Sequence, residues 1–154
     1  MSSAVYLDIE TDWHRNITVL GFWSSTTGVV QLVGTEVTAA RVRRLLARGG
    51  RLYTFNGHCF DLPVIRKQLG LDLRTSHNSI DLRYSCADNG LTGGQKAVEK
   101  RVRFSRALDG VDGLAAIRLW RAHQRGAAGA LPRLLAYNRE DLAGLRCIRK
   151  YLSA

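Results

Sequence analysis

A carboxylate stands in the middle of an apolar helical stripe. Residues 131–152 read as one long helix, and Leu134, Tyr137, Asp141, Leu145, Ile148 and Leu152 recur at three- and four-residue spacing along one side of it. An acid on a face that packs inward needs a cation beside it. That cation is either an arginine of the chain, such as Arg139 or Arg146, or a metal ion. The first strand poses the same question. Residues 4–10 alternate, with Val5, Leu7 and Ile9 on one face and Tyr6, Asp8 and Glu10 on the other. Asp8 and Glu10 therefore share a face and can ligate one ion or bridge two, unless that face is simply solvated.

Between these segments the pattern alternates. Residues 16–24 and 29–33 read as strands joined by the Thr26-Thr27-Gly28 turn, which makes them an antiparallel hairpin. A helix follows over 38–48, with Val42, Leu45 and Leu46 inward and Gly49-Gly50 at its end. Residues 52–55 form a fourth strand that feeds Asn56 and Gly57 into a turn. Pro63 and Gly70 bracket a helix, and 79–82 form a short fifth strand. Residues 88–94 are loop, 97–102 a short helix, and 111–124 a helix capped by Asp112. Residues 126–129 make a flexible joint before the last helix, which has Pro132 near its start. The expected fold is α/β: a mixed five-stranded sheet, strands 1–3 an antiparallel meander and 4–5 parallel, flanked by helices in one domain over 1–154.

Lys and Arg total 23 against 13 Asp and Glu, a net charge of +10 that favours a polyanionic partner, unless the excess charge only aids solubility. No apolar run approaches the roughly 20 residues needed to span a bilayer. Residues 1–3 lead straight into the strand pattern, with no basic and apolar leader. Cys59, Cys86 and Cys147 are widely spaced and odd in number, neither a disulfide framework nor a zinc spacing. They suit a reduced, cytoplasmic protein.

Other polar residues admit two readings each. Asp61, just before Leu62-Pro63, suits either a helix N-cap or a metal ligand, and Asn56 suits a turn. Asp81 on the short fifth strand is a supporting group or a strand-end acceptor and lies outside the metal set. His58, His77 and His123 share no ligand spacing. Lys96, Lys100, Arg101, Arg103 and Arg106 form a basic segment broken only by Glu99, fit either for phosphates or for solvent. Trp13 and His14 follow the first two acids closely enough to stack on a base of a bound polyanion, or simply pack in a loop. Gly144, three residues past Asp141, points to close approach of another backbone.

Three motifs in one order carry a resemblance: Asp8-Ile9-Glu10 on the first strand, Asn56 through Phe60-Asp61, and Tyr137 through Asp141 on the last helix. The chain resembles the DEDD superfamily of 3′–5′ exonucleases, which have a ribonuclease-H-like fold. The tyrosine marks the DEDDy subclass. The segments FNGHCFDLP (55–63) and LLAYNREDLAGL (134–145) are similar to the small YprB-type group of predicted exonucleases. The resemblance implies two Mg²⁺ or Mn²⁺ ions held by Asp8, Glu10, Asp61 and Asp141, with Tyr137 orienting the attacking water. Nucleic-acid contacts are expected from Thr11, Trp13, Asn56, Lys96, Lys100, Arg101 and Arg103. The implied substrate is a single-stranded or frayed 3′ end, DNA or RNA, with a larger processing assembly left open. The alternatives are an idle nucleic-acid-binding module on the same fold and a ribonuclease-H-like endonuclease.

Overall fold

The computed structural model describes residues 4–108 and 110–153, so the start read at residues 1–3 lies outside the described residues. Five strands form one sheet: β1 (Ala4–Thr11), β2 (Ile17–Ser24), β3 (Gly28–Val33), β4 (Arg51–Thr54) and β5 (Asn78–Asp81). Their spatial order is β3-β2-β1-β4-β5. β1–β2 and β2–β3 pair antiparallel, whereas β1–β4 and β4–β5 pair parallel. This is the mixed sheet expected from the strand pattern. β1 sits at its centre, and the register breaks between Glu10 and Thr11 as the strand leaves it.

Both faces of the sheet are covered, so Asp8 and Glu10 do not face bulk solvent across an open side. Val5, Leu7 and Ile9 pack with Val42 of α1 (Ala39–Leu45) and with Leu62 and Ile65 of α2 (Asp61–Leu69). On the opposite face Tyr6 and Tyr53 stack at 5.0 Å between ring centroids. They join Leu142, Leu145 and Ile148 of the long helix α7 (Ala130–Ser153) and Val98 of α5 (Gln95–Arg101). Further along, Val19 meets Leu134 and Tyr137 of α7 and Ala116 of α6 (Gly113–Gln124).

The helices depart from the expected bounds for local reasons. α1 stops at Leu45 because Leu46 is already extended, and the left-handed Gly49 and Gly50 turn the chain into β4 instead of capping the helix. Two short helices, α3 (Leu73–Ser76) and α4 (Leu82–Asp88), were not expected. Each is opened by an aspartate cap, Asp72 accepting from the Arg74 amide at 3.1 Å and Asp81 from the Arg83 amide at 3.0 Å. The cap at Asp81 also ends β5 one residue before the expected limit.

Candidate metal centre

The centre lies where β1 leaves the sheet beneath α7. Carboxylate oxygens of Asp8, Glu10 and Asp141 all lie within 4.8 Å of one another. β1 supplies two of them from one face, and the four-residue period of α7 places Asp141 below Tyr137. A cavity of about 540 Å³ opens over them, lined also by Thr11, Asn56, Asp61, Lys96 and Tyr137. Trp13, Lys100, Arg101 and Arg103 do not line it. Trp13 is 56% exposed in the turn after β1.

Asp61 is not a cap for its own helix. Phe60 holds the N-cap position without a side-chain bond. Asp61 instead accepts the Ile9 amide of β1 at 3.0 Å, a buried bond that ties α2 to the strand carrying Asp8 and Glu10. The turn ahead of it is shaped by Asp81, which accepts the amides of Asn56 (2.7 Å) and His58 (3.2 Å). Asn56 has φ 61°, which asparagine tolerates better than most residues. Asp81 is thus a strand-end acceptor that builds the second acid segment.

Two residues hold the acids in place: Asn138, which the sequence did not single out, and Arg106, which read as a cation for phosphates or solvent and is instead paired with two acids. Asn138, fully buried, donates to the Asp8 carboxylate at 3.1 Å and to the Asp8 carbonyl at 3.2 Å, and accepts from Gln31. It fits only because Gly21, paired with Asp8 across the sheet, has no side chain to collide with its amide. Arg106 is the cation that pairs with Asp141, in place of Arg139 or Arg146. Its guanidinium reaches Asp141 at 2.5 Å and both oxygens of Glu99 at 2.7 Å. Gln95 bridges Glu99 to the Asp141 carbonyl. Gly144 makes room for the Glu99 and Gln95 side chains, not for another backbone. Glu140, beside Asp141, fixes the same segment by accepting the amides of Ala107 and Leu108 at 2.7 and 2.8 Å.

The electrostatics follow from burial and crowding. Burial, then Asp141 and Glu10, push the Asp8 carboxyl well above the usual carboxylate range; burial and Asp141 do the same to Glu10. Asp61 is raised to about 7, its burial outweighing the amides it accepts. One guanidinium does not neutralise this group. A donor set made only of carboxylate oxygens, short of positive charge and open to a cavity, fits a hard divalent cation such as Mg²⁺ or Mn²⁺. Burial and the surrounding acids also raise the Tyr137 hydroxyl, so it stays protonated. Lys96 donates to that hydroxyl at 2.7 Å.

The other basic candidates are placed differently. Arg101 donates to the Gly90 carbonyl at 3.0 Å, and Lys100 and Arg103 are exposed beyond the cavity rim. His77 is a buried structural residue between Ser76 and the Ala47 carbonyl, and His58 bonds Ser79 at 2.9 Å. Cys59, Cys86 and Cys147 are all free. Among the described residues no helix is long and apolar enough to cross a membrane.

The backbone is similar to that of a family B DNA polymerase from the hyperthermophilic archaeon Pyrobaculum calidifontis, with a TM-score of 0.73 at 16% identity. The match covers 99% of this chain and 24% of the polymerase, so the chain spans about a quarter of that protein's length. At this identity the likeness concerns the fold alone. No curated protein matches the sequence. The RNase H superfamily model matches residues 5–153, from the strand bearing Asp8 and Glu10 to the end of the helix bearing Asp141, and the chain belongs to that superfamily.

Proposed function

We propose that the protein is a metal-dependent 3′–5′ exonuclease acting on single-stranded or frayed ends of DNA or RNA. The observation that carries this reading is the convergence of Asp8, Glu10 and Asp141, with Asp61 and Tyr137 on the same cavity wall, in a chain of net charge +10. Tyr137 four residues before Asp141 supports the DEDDy subclass and kinship with the YprB-type group. The free cysteines suit a cytoplasmic setting.

Asp8, Glu10, Asp61 and Asp141 would hold two Mg²⁺ or Mn²⁺ ions, whose chemistry is to neutralise phosphate charge and make water a stronger nucleophile. The cavity of about 540 Å³ is sized for one nucleotide. Thr11 and Asn56 border the terminal sugar and base. Lys96, which donates to the Tyr137 oxygen, leaves the phenolic proton free to be aimed at the attacking water. Being held protonated, Tyr137 orients that water and does not deprotonate it. Water adds to phosphorus, the bond to the 3′ oxygen breaks, and a nucleoside 5′-monophosphate leaves.

Linear and circular single strands of DNA and RNA, labelled at the 5′ end where linear, test this with Mg²⁺, Mn²⁺ or EDTA. The expected result is a ladder of single-nucleotide steps, dependent on metal and absent from circles. Cleavage of circles identifies an endonuclease, and retention without cleavage identifies a binding module; either contradicts the proposal.

A further inference from the structure

On the α5 side of the centre Lys96 is engaged by Tyr137, Arg101 by the Gly90 carbonyl and Arg106 by two acids, while Lys100 and Arg103 are exposed and do not line the cavity over the acids. The opposite side is different. Phe60, which walls the cavity over the acids, also walls a second cavity of about 410 Å³ between α2 and the turn that follows β1. Its charged lining is Arg15 and Lys67, with His14 beside them. Lys67 and Pro63 pass this cavity on to a third, of about 580 Å³, which adds Arg66 and Arg74. The three hollows adjoin one another, each sharing wall residues with the next, in a course from the acids across the surface of α2.

Its cations are free, and its acids are not. Arg15, Arg66, Lys67 and Arg74 are exposed, and none has an ion-pair partner among the described residues. Asp12, at the near end, is consumed by the turn, accepting the amides of His14 and Asn16 and the Asn16 side chain. Asp72, at the far end, caps α3. The turn is built and held: Arg15 has φ 62°, closed by bonds between Asp12 and the backbone of Arg15 and Asn16. Gln68 fastens α2 to the other side by accepting the Ile17 amide at 2.8 Å. Arg15 lies 6.0 Å from the centre of the Phe60 ring, so a charge and an aromatic face stand together at the entrance. A row of unpaired cations beside an aromatic wall is the surface a flexible polyanion with stacking bases fits.

We propose that this course, from Phe60 past Arg15 and Lys67 to Arg66 and Arg74, is the track that carries the single strand 5′ of the reacting end. The inference rests on the exonuclease reading of the centre and adds the direction in which the substrate leaves it. Phosphates lie against Arg15 and Lys67, and Trp13, exposed at the lip of the turn, offers a stacking face to a base.

The test compares two double variants of equal charge change, R15Q/K67Q and K100Q/R103Q, on a short single-stranded oligonucleotide and on a nitrophenyl ester of a nucleoside 5′-monophosphate. The ester occupies only the acid site, so wild-type turnover of it reports the catalytic reading separately from the track. R15Q/K67Q should raise the oligonucleotide KM about tenfold and flatten the log–log salt dependence of binding in EDTA by about 0.7 per residue replaced. Ester hydrolysis should be unchanged, and K100Q/R103Q should change oligonucleotide KM by less than about threefold. Equal effects of the two pairs would reduce the track to net charge and overturn it. A larger effect of K100Q/R103Q would put the strand on the other side. Inactivity of the wild type on ester and oligonucleotide alike would remove the catalytic reading instead; binding in EDTA would then still decide the track.

Discussion

Arg106 joins Asp141 to Glu99, one guanidinium shared by an acid of the centre and an acid buried behind it. Glu99 is 2% exposed, so it depends on that guanidinium for its charge to be tolerated.

Removing one partner of such a pair is costly, because the other charge is left buried. Arg106→Ala is expected to lower the free energy of unfolding by about 3–5 kcal/mol, measured by urea denaturation. Replacing both members, R106M/E99L, is expected to recover much of that stability without recovering hydrolysis, since Asp141 still lacks its holder. Full activity in the double variant would show that Arg106 serves only the fold.

Asn138 and Gly21 are coupled in the same way. Gly21→Ala puts a methyl into the Asn138 amide and displaces the donor on Asp8. The expected result is a loss of about 1–3 kcal/mol and a fall in kcat. Adding Asn138→Ala should relieve the clash and leave kcat low. Equal stability of Gly21→Ala and wild type would contradict the contact.

The raised carboxyls give the protein free of divalent cations an unusual pH dependence. Asp61 titrates near 7 when folded and near 3.8 when unfolded, so between those values the folded state binds more protons. Stability therefore falls as pH rises from about 4 to about 7, by up to about 1.4 kcal/mol per pH unit for this one group, and levels off above. Asp8 and Glu10 act in the same direction. Mn²⁺ added at pH 8 should restore the loss, raising Tm, and Asp8→Asn should abolish that rise. Thermal denaturation across the pH range, with EDTA or Mn²⁺, reads both effects. A stability that climbs from pH 4 to 7 in EDTA would contradict the crowding of the acids.

Tyr137 and Asp141 lie on one face of α7, and the proposed mechanism gives them different tasks. Tyr137→Phe keeps the ring under Lys96 and loses the hydroxyl, and is expected to lower kcat by about 100-fold, the cost of a misplaced nucleophile. Asp141→Asn is expected to abolish detectable hydrolysis while the far-ultraviolet circular dichroism stays that of the wild type. Equal losses would mean that the hydroxyl does more than orient water.

The order of strands and long helices was legible because each announces its own period: alternation in 4–10, three- and four-residue spacing in 131–152. α3 and α4 were not legible, because α3 is a single four-residue turn and α4 runs straight on from β5, each opened by a single aspartate cap. The acidic residues could be picked out by placement: a carboxylate at 141 is conspicuous on a stripe that packs inward. Their holders were hidden. Arg106 sits in an aperiodic segment after α5, where nothing distinguishes it from its basic neighbours until the chain folds back onto Glu99. Asn138 looks like an ordinary polar residue of α7, and only the sheet brings Gly21 to it. The one signal available was the glycine itself: Gly21 inside an otherwise apolar, β-branched and aromatic strand marks a close approach. Gly144 gave the same warning, though the group that approaches it is a carboxylate.

The central claim is that Asp8, Glu10 and Asp141, with Asp61 beside them, seat divalent cations. Crystals grown with MnCl₂ and a nucleoside 5′-monophosphate, measured at the manganese absorption edge, test it directly. Anomalous peaks are expected between these carboxylates in the wild type, and their loss in Asp8→Asn. Manganese bound elsewhere at full occupancy, with no peak among these oxygens, would contradict it.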